Sequence, residues 1–378
     1  MLQKNILIYL LEKYPNKNWD YKGLSINKNI TFDFIKLNKD KPWSFNLLSL
    51  NSNITMDIIE NNINEPWSYQ YLSNNPNITI EFIKKNKDKP LLFENISQNP
   101  CITMDIVEQN INEPWSYFYL SFNPNLTLEF ILLHKDKDWN WEYLSQHPKI
   151  TMEFIELNIT KPWNWDIVSI NPNITMDIIK KYPKKEWNWY FISSNSNITY
   201  DIIENNPNTP WFYHEISWNP NIDIEIIEKY SDKQWNWYYI TKNKNITLDI
   251  IQKYKDKDWN WDYISYNKLL MIDFILLNKD KPLNWKGISQ NKNITCQIID
   301  NNINEPWDWE AVSKNPNITL EFIEKYINNI DFNNLSYNTF EYHNKKVKIF
   351  QRSYIYYYLY FYKISYDIKR YIVTKFLF

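Results

Sequence analysis

"KPWNWDIVSINPNITMDII", residues 161–179, recurs in close copies twenty-four residues earlier and twenty-four residues later. A fixed period marks a repeat architecture, in which each unit is one small motif that buries its apolar face only against its neighbours. Counted from Asn5, the period of 24 runs without insertion through thirteen units to Pro316, and a fourteenth, Asn317 to Thr339, is one residue shorter. Units begin at Asn5, Asn29, Asn53, Asn77, Cys101, Asn125, Lys149, Asn173, Asn197, Asn221, Asn245, Leu269, Asn293 and Asn317. The idealised unit is N-I-T-x-D-I-I-x-x-N-x-D-K-P-W-N-W-x-x-I-S-x-N-P, with positions counted 1 to 24 from its first Asn.

The letters of each unit spell helix starts and stops. Position 3 holds Thr31, Thr55, Thr79, Thr103, Thr127, Thr151, Thr175, Thr199, Thr247, Thr295 and Thr319, and in one unit Asp223. Thr and Asp share an oxygen that accepts from a free backbone N–H, so these residues are expected to cap a helix. Two places on stands an acid in twelve units, at the positive end of the helix dipole. Aliphatic residues just before the cap and four after it form a hydrophobic staple. The stop falls at position 10, where Asn tolerates a left-handed conformation.

The second half follows the same logic. Position 16 is Asn, Ser or Asp in twelve units, with Trp before it in eleven and an aliphatic residue four places after it in all. Trp163 and Val168 would thus staple across Asn164. A hydroxyl follows at position 21 in every unit, as Ser thirteen times and as Thr241 once. Asn at position 23, often followed by Pro, ends the helix. Each unit therefore reads as two helices of about two turns, too short to stand alone.

This pattern predicts an all-α fold, an α-solenoid of about fourteen two-helix repeats over residues 1–340. The buried surface comes from the staples, from the aromatic residue at position 17, and from Trp139, Trp163, Trp187, Trp235, Trp259 and Trp307. At about 8–10 Å between neighbouring helices, fourteen units make a rod or arc of roughly 120 Å. A β-solenoid is the competing architecture; the caps and the apolar spacing of three and four oppose it. Residues 341–378 leave the period and carry eight Lys and Arg against two acids. They are expected to cover the exposed end of the stack as a helical cap, or else to dock on a partner or a membrane surface.

The combination "PWNWDIVSINPNITMDII" resembles the tandem-repeat unit of uncharacterised proteins of mimivirus-like giant DNA viruses, over residues 5 to about 339. Trp, Ser, Asn-Pro-Asn and Thr recur together at one spacing. The resemblance implies a viral origin and no activity. The pattern loosens at Leu91 and Leu283, where the first Trp is lost, and at Leu7 and Met271, where the cap is lost.

Composition narrows the function classes. Gly23 and Gly287 are the only glycines, so no glycine-rich phosphate loop, dinucleotide fingerprint or nucleophile elbow can be written. Two cysteines cannot make a disulfide framework. No uncharged apolar run reaches a transmembrane length of about 18 residues, and the N-terminus carries no secretory cleavage pattern. His134, His147, His214 and His343 occupy unlike repeat positions and show no metal spacing. "NIT" matches a glycosylation sequon but is read as the helix cap. Neither the Trp ladder nor the acid ladder makes a catalytic constellation, since general acid–base chemistry needs one distinct environment.

No enzyme, cofactor or metal is therefore implied. The chain is expected to be a protein–protein interaction scaffold in the host cytoplasm or virion, read by a partner at the variable positions 8, 9, 11, 18, 19 and 22. A nucleic-acid-binding solenoid is the alternative. The net charge of -2 opposes it, and it would gain support from a concave stripe of the position-13 lysines Lys137, Lys161, Lys185, Lys233, Lys257 and Lys281. Where "INEPW" alternates with "KDK", acidic and basic patches are expected along one edge.

Overall fold

A computed structural model describes residues 5–340, which hold twenty-eight α-helices, two per unit, and no strand. In the unit from Lys149 the second helix is Trp165–Ile170, and the first helix of the next unit is Met176–Lys181. Helices are four to eight residues long, some of them shorter than their caps suggest. All twelve cap residues named above stand at helix N-caps, and eleven accept a backbone N–H, as Thr175 Oγ1 does from Ile178 at 3.4 Å. Thr199 makes no side-chain cap bond, and neither does Met271. The first unit differs: its helix starts earlier, at Ile6, and Asn5 caps it through Leu7 N–H.

The stop at position 10 works otherwise than expected. Its backbone stays at negative φ, −123° at Asn158 for example, and Phe340 is the one non-glycine residue with positive φ among those described. Instead, the Asn158 amide donates to the Phe154 carbonyl four residues back, at 2.9 Å. Its own carbonyl then accepts the Trp163 indole N–H at 2.9 Å. All eleven tryptophans at position 15 make this bond. The polar edge of a buried ring is thereby satisfied. Trp139, Trp163, Trp259 and Trp307 are buried in the core, whereas Trp187 and Trp235 are only partly covered.

Three side chains bind each unit to the next. The hydroxyl at position 21 faces two ways: Ser169 Oγ donates to the Trp165 carbonyl (2.8 Å) and accepts the Asn188 N–H of the following unit (3.0 Å). The amide at position 23 is a buried ladder rung as well as a helix stop. Asn195 Nδ2 reaches the Ser169 carbonyl (2.9 Å) and the Asn171 carbonyl (3.1 Å), while its Oδ1 accepts Asn197 N–H (2.8 Å). The ring at position 17 wedges between units, edge-on to the next position-15 Trp, as in Trp165–Trp187 at 5.4 Å and 89°.

The same bonds join the last unit to the first. Asp20 N–H donates to Ser336 Oγ (3.0 Å), and Asn27 Nδ2 donates to the carbonyls of Ser336 (2.8 Å) and Asn338 (3.1 Å). Asn29 Nδ2 reaches the Thr339 carbonyl at 2.9 Å, the counterpart of Asn53 Nδ2 reaching Lys28. Phe332 at position 17 meets Trp19 edge-on at 5.0 Å and 83°, against 5.2 Å and 83° for Tyr21 and Trp43. Lys13 pairs with Glu324 as Lys85 does with Glu60. Unit 14 is thus the spatial predecessor of unit 1. The solenoid is a closed ring, not the rod or arc expected from helix spacing alone.

Closure fixes which layer is inside. Most successive second helices pack closely, as Trp165–Ile170 does on Trp189–Ser194, and no two successive first helices pack as closely. Both layers have fourteen members, so the closely spaced layer has the smaller radius. Second helices therefore line the lumen and first helices form the outer wall. With about 8–10 Å between inner helices, the circle of their axes is roughly 35–45 Å across. Side chains extending about 5–6 Å from each axis leave a lumen of roughly 25–35 Å. A closed ring has no bare terminal unit, so the stated reason for a C-terminal cap is gone; the segment 341–378 itself lies outside the described residues.

Candidate interaction surface in the lumen

Positions 17, 20 and 21 of each second helix turn toward the core or the next unit, which leaves 18, 19 and 22 on the lumen side. Position 18 is exposed in all fourteen units. Position 22 of one unit abuts position 19 of the next, as in Phe122 against Tyr143 at 4.2 Å and Trp218 against Tyr239 at 4.8 Å. The contact explains both glycines. A Cβ on Gly287 would stand 2.8 Å from the Tyr266 ring, and one on Gly23 would stand 2.7 Å from the Tyr337 ring. Tyr occurs at position 22 only in these two places, and each time the following unit carries Gly at position 19.

Repeats that are alike in the core differ on this wall. Units 5 to 11 hold eleven of the thirteen aromatic residues found at the three lumen positions, so the wall is one-sided. Trp218 and Tyr238 there are 41% and 47% exposed, well beyond the cover a core ring receives. Lys242 lies over the Trp218 ring at 4.4 Å, with Tyr238 and Tyr263 also within about 6 Å, a cation–π cage built from three units.

A polar network crosses the aromatic arc. Glu215, only 7% exposed, accepts from His214 Nδ1 at 2.9 Å. The Asn236 amide nitrogen stands 2.7 Å from His214 Nε2 and ties the imidazole to the next unit. Tyr190 also hydrogen-bonds Glu215, which pushes its phenol above the ordinary range. The repeat grammar gave no sign of this network, because its members come from different columns of three units. With Glu142, Asp166 and Asp262 on the same arc, acids outnumber the one basic residue, Lys242.

Other expected sites resolve into structure. The position-13 lysines lie over position-17 rings of the preceding unit, Lys161 on Trp141 at 5.4 Å and Lys257 on Trp237 at 5.2 Å. Lys137, Lys185 and Lys233 do the same, while Lys281 lies near Asp280. They stand in the loops between helices, not on a concave stripe. Positions 8 and 9, expected to be free for a partner, instead pair across units in several places, as Lys253 with Glu228 and Lys325 with Asp300. The alternating "KDK" and "INEPW" loops also pair, Lys87 with Glu113 at 2.5 Å.

The sequon asparagines use their amides on neighbouring units, Asn173 on the Pro148 and Ile150 carbonyls. Cys101 keeps that contact with its thiol, 3.3 Å from the Ile78 carbonyl. Burial raises the thiol pKa of both Cys101 and Cys296. Among the described residues, no group of three His, Cys, Asp or Glu could hold a metal ion, and no helix is long and apolar enough to cross a membrane. Comparisons with protein-family models, with curated proteins and with solved structures gave no match.

Proposed function

We propose that the chain is a non-enzymatic scaffold, a ring whose lumen grips a protein partner in the host cytoplasm or virion. The observation that carries this reading is the sidedness of the inner wall. Core columns repeat in unit after unit, but exposed rings crowd into units 5 to 11. Clusters of exposed aromatic residues are what protein interfaces use as anchors. A one-sided wall suits a one-sided guest, such as a folded or extended polypeptide, more than a symmetric rod threaded through the hole.

Nucleic acid is the weaker reading. Phosphate neutralisation needs clustered, free Lys and Arg. Here five of the six position-13 lysines named above lie over rings, and the aromatic arc is more acidic than basic.

The test is affinity capture from expressing cells at two salt concentrations. The intact chain is compared with a lumen variant (Phe118→Ser, Tyr190→Ser, Tyr238→Ser) and an outer-wall variant (Leu133→Ser, Leu157→Ser). One protein recovered in near-stoichiometric amount, and lost only with the lumen variant, is the expected result. Recovery of RNA with steep salt dependence, or loss with the outer variant instead, contradicts the proposal.

A further inference from the structure

We infer that the occupant of the aromatic arc is the chain's own segment 341–378. The inference rests on the lumen being a binding wall and makes the segment the resident of that wall, which a protein partner displaces. Three observations converge on it.

The first is position. The described chain ends at Phe340, which is 1% exposed and donates its N–H to Asn338 Oδ1 at the seam between units 14 and 1. On a ring of fourteen, the point opposite that seam falls between units 7 and 8, inside the arc of units 5 to 11 and beside Tyr190 and Phe191 of unit 8.

The second is the order of residues after Phe340. The stretch "EYHNKKVK" (341–348) is polar and basic, and "IFQRSYIYYYLYFYKISY" (349–366) is rich in aromatic and aliphatic residues. Eight residues span at most about 26 Å when extended, at roughly 3.3 Å each. That is the scale of the lumen estimated from helix packing. Fully extended, the hydrophilic leader spans the narrow end of that range, and the first residues of the aromatic part, Ile349 to Tyr354, carry the chain on to the far wall.

The third is charge. Segment 341–378 has eight Lys and Arg against two acids. The arc offers Glu142, Asp166, Glu215 and Asp262 against Lys242. Exposed rings on the wall and apolar rings in the segment each need cover from water, and opposite charges set the direction.

Site-directed cross-linking in the full-length chain tests this. Cys101→Asn and Cys296→Met restore the repeat letters and remove the natural thiols. Tyr357→Cys is then combined with Tyr238→Cys in the lumen, or with Leu157→Cys on the outer wall, which is 79% exposed. A tethered segment has an effective concentration of about millimolar. The lumen pair is expected to cross-link within one chain, at a rate unchanged by dilution and at least about fivefold above the outer pair. Glu142→Lys with Asp166→Lys and Asp262→Lys, all at exposed positions, is expected to lower that rate severalfold.

Equal reaction with the outer wall, reaction only between separate chains, or no reaction with either thiol overturns the inference. So does binding to anionic vesicles that leaves the lumen thiol as accessible as the outer one. Partner capture that depends on lumen residues without the intrachain cross-link retires the segment and keeps the proposed function. The cross-link without such dependence does the reverse.

Discussion

At the scale of single residues, the unit is held by side chains that each satisfy two backbone groups. Ser169→Ala removes the acceptor of the Asn188 N–H and leaves that donor without its partner at a closed interface. The expected loss is about 1–3 kcal/mol in denaturant titration, with Ser169→Thr near neutral because Thr241 fills the same role elsewhere. His147 is the exception in the amide column. Burial, helped by Lys149, holds its pKa below the ordinary imidazole value, and its Nδ1 accepts the Lys149 N–H at 3.2 Å. The fold thus favours the neutral ring. Stability is complete above the unfolded pKa of about 6.5 and is lost as pH falls from there through the lower folded value. His147→Asn should abolish that pH-dependent portion and add about 1 kcal/mol by restoring the ladder donor, measured as the difference between two pH–stability profiles.

At the scale of helices, local chemistry was readable because its partners are near in sequence. A Thr that caps the N–H three residues on announces itself in the letters, and so does a Trp that staples across the cap. Met271 breaks this rule and caps nothing with its side chain. Met271→Thr should therefore stabilise the chain by about 1 kcal/mol. Thr199, which makes no side-chain cap bond, should cost less on replacement by Ala than Thr175, as chemical denaturation of both variants would reveal. What the letters hid were bonds whose partner lies a full unit away. Asn at position 23 looks like a stop, yet its amide holds the previous unit. Lys at position 13 looks free, yet a ring one unit back lies beneath it. Charges at positions 8 and 9 look like a reading face, yet several of them pair between units.

For the whole molecule, closure was the feature hardest to read. A full turn shared by fourteen units is about 26° each, and that angle comes from the difference in spacing between two helix layers. No residue encodes it locally. One trace was present all the same. Gly287 receives Tyr266 from the unit before it, and Gly23 has no such Tyr before it in the chain; its Tyr is Tyr337, at the other end. Gly23→Leu should accordingly speed amide exchange in units 1 and 14, whereas Gly287→Leu should do so in units 11 and 12.

Distance between the two ends is the most direct measurement. Spin labels are placed at Lys13→Cys and Glu324→Cys in a chain without its natural cysteines, at the cost of one exposed ion pair worth little. The ring predicts a single short separation, one or two helix spacings or about 8–20 Å. A separation on the order of 100 Å, as thirteen stacked spacings of an open arc would give, contradicts closure and with it the inner wall.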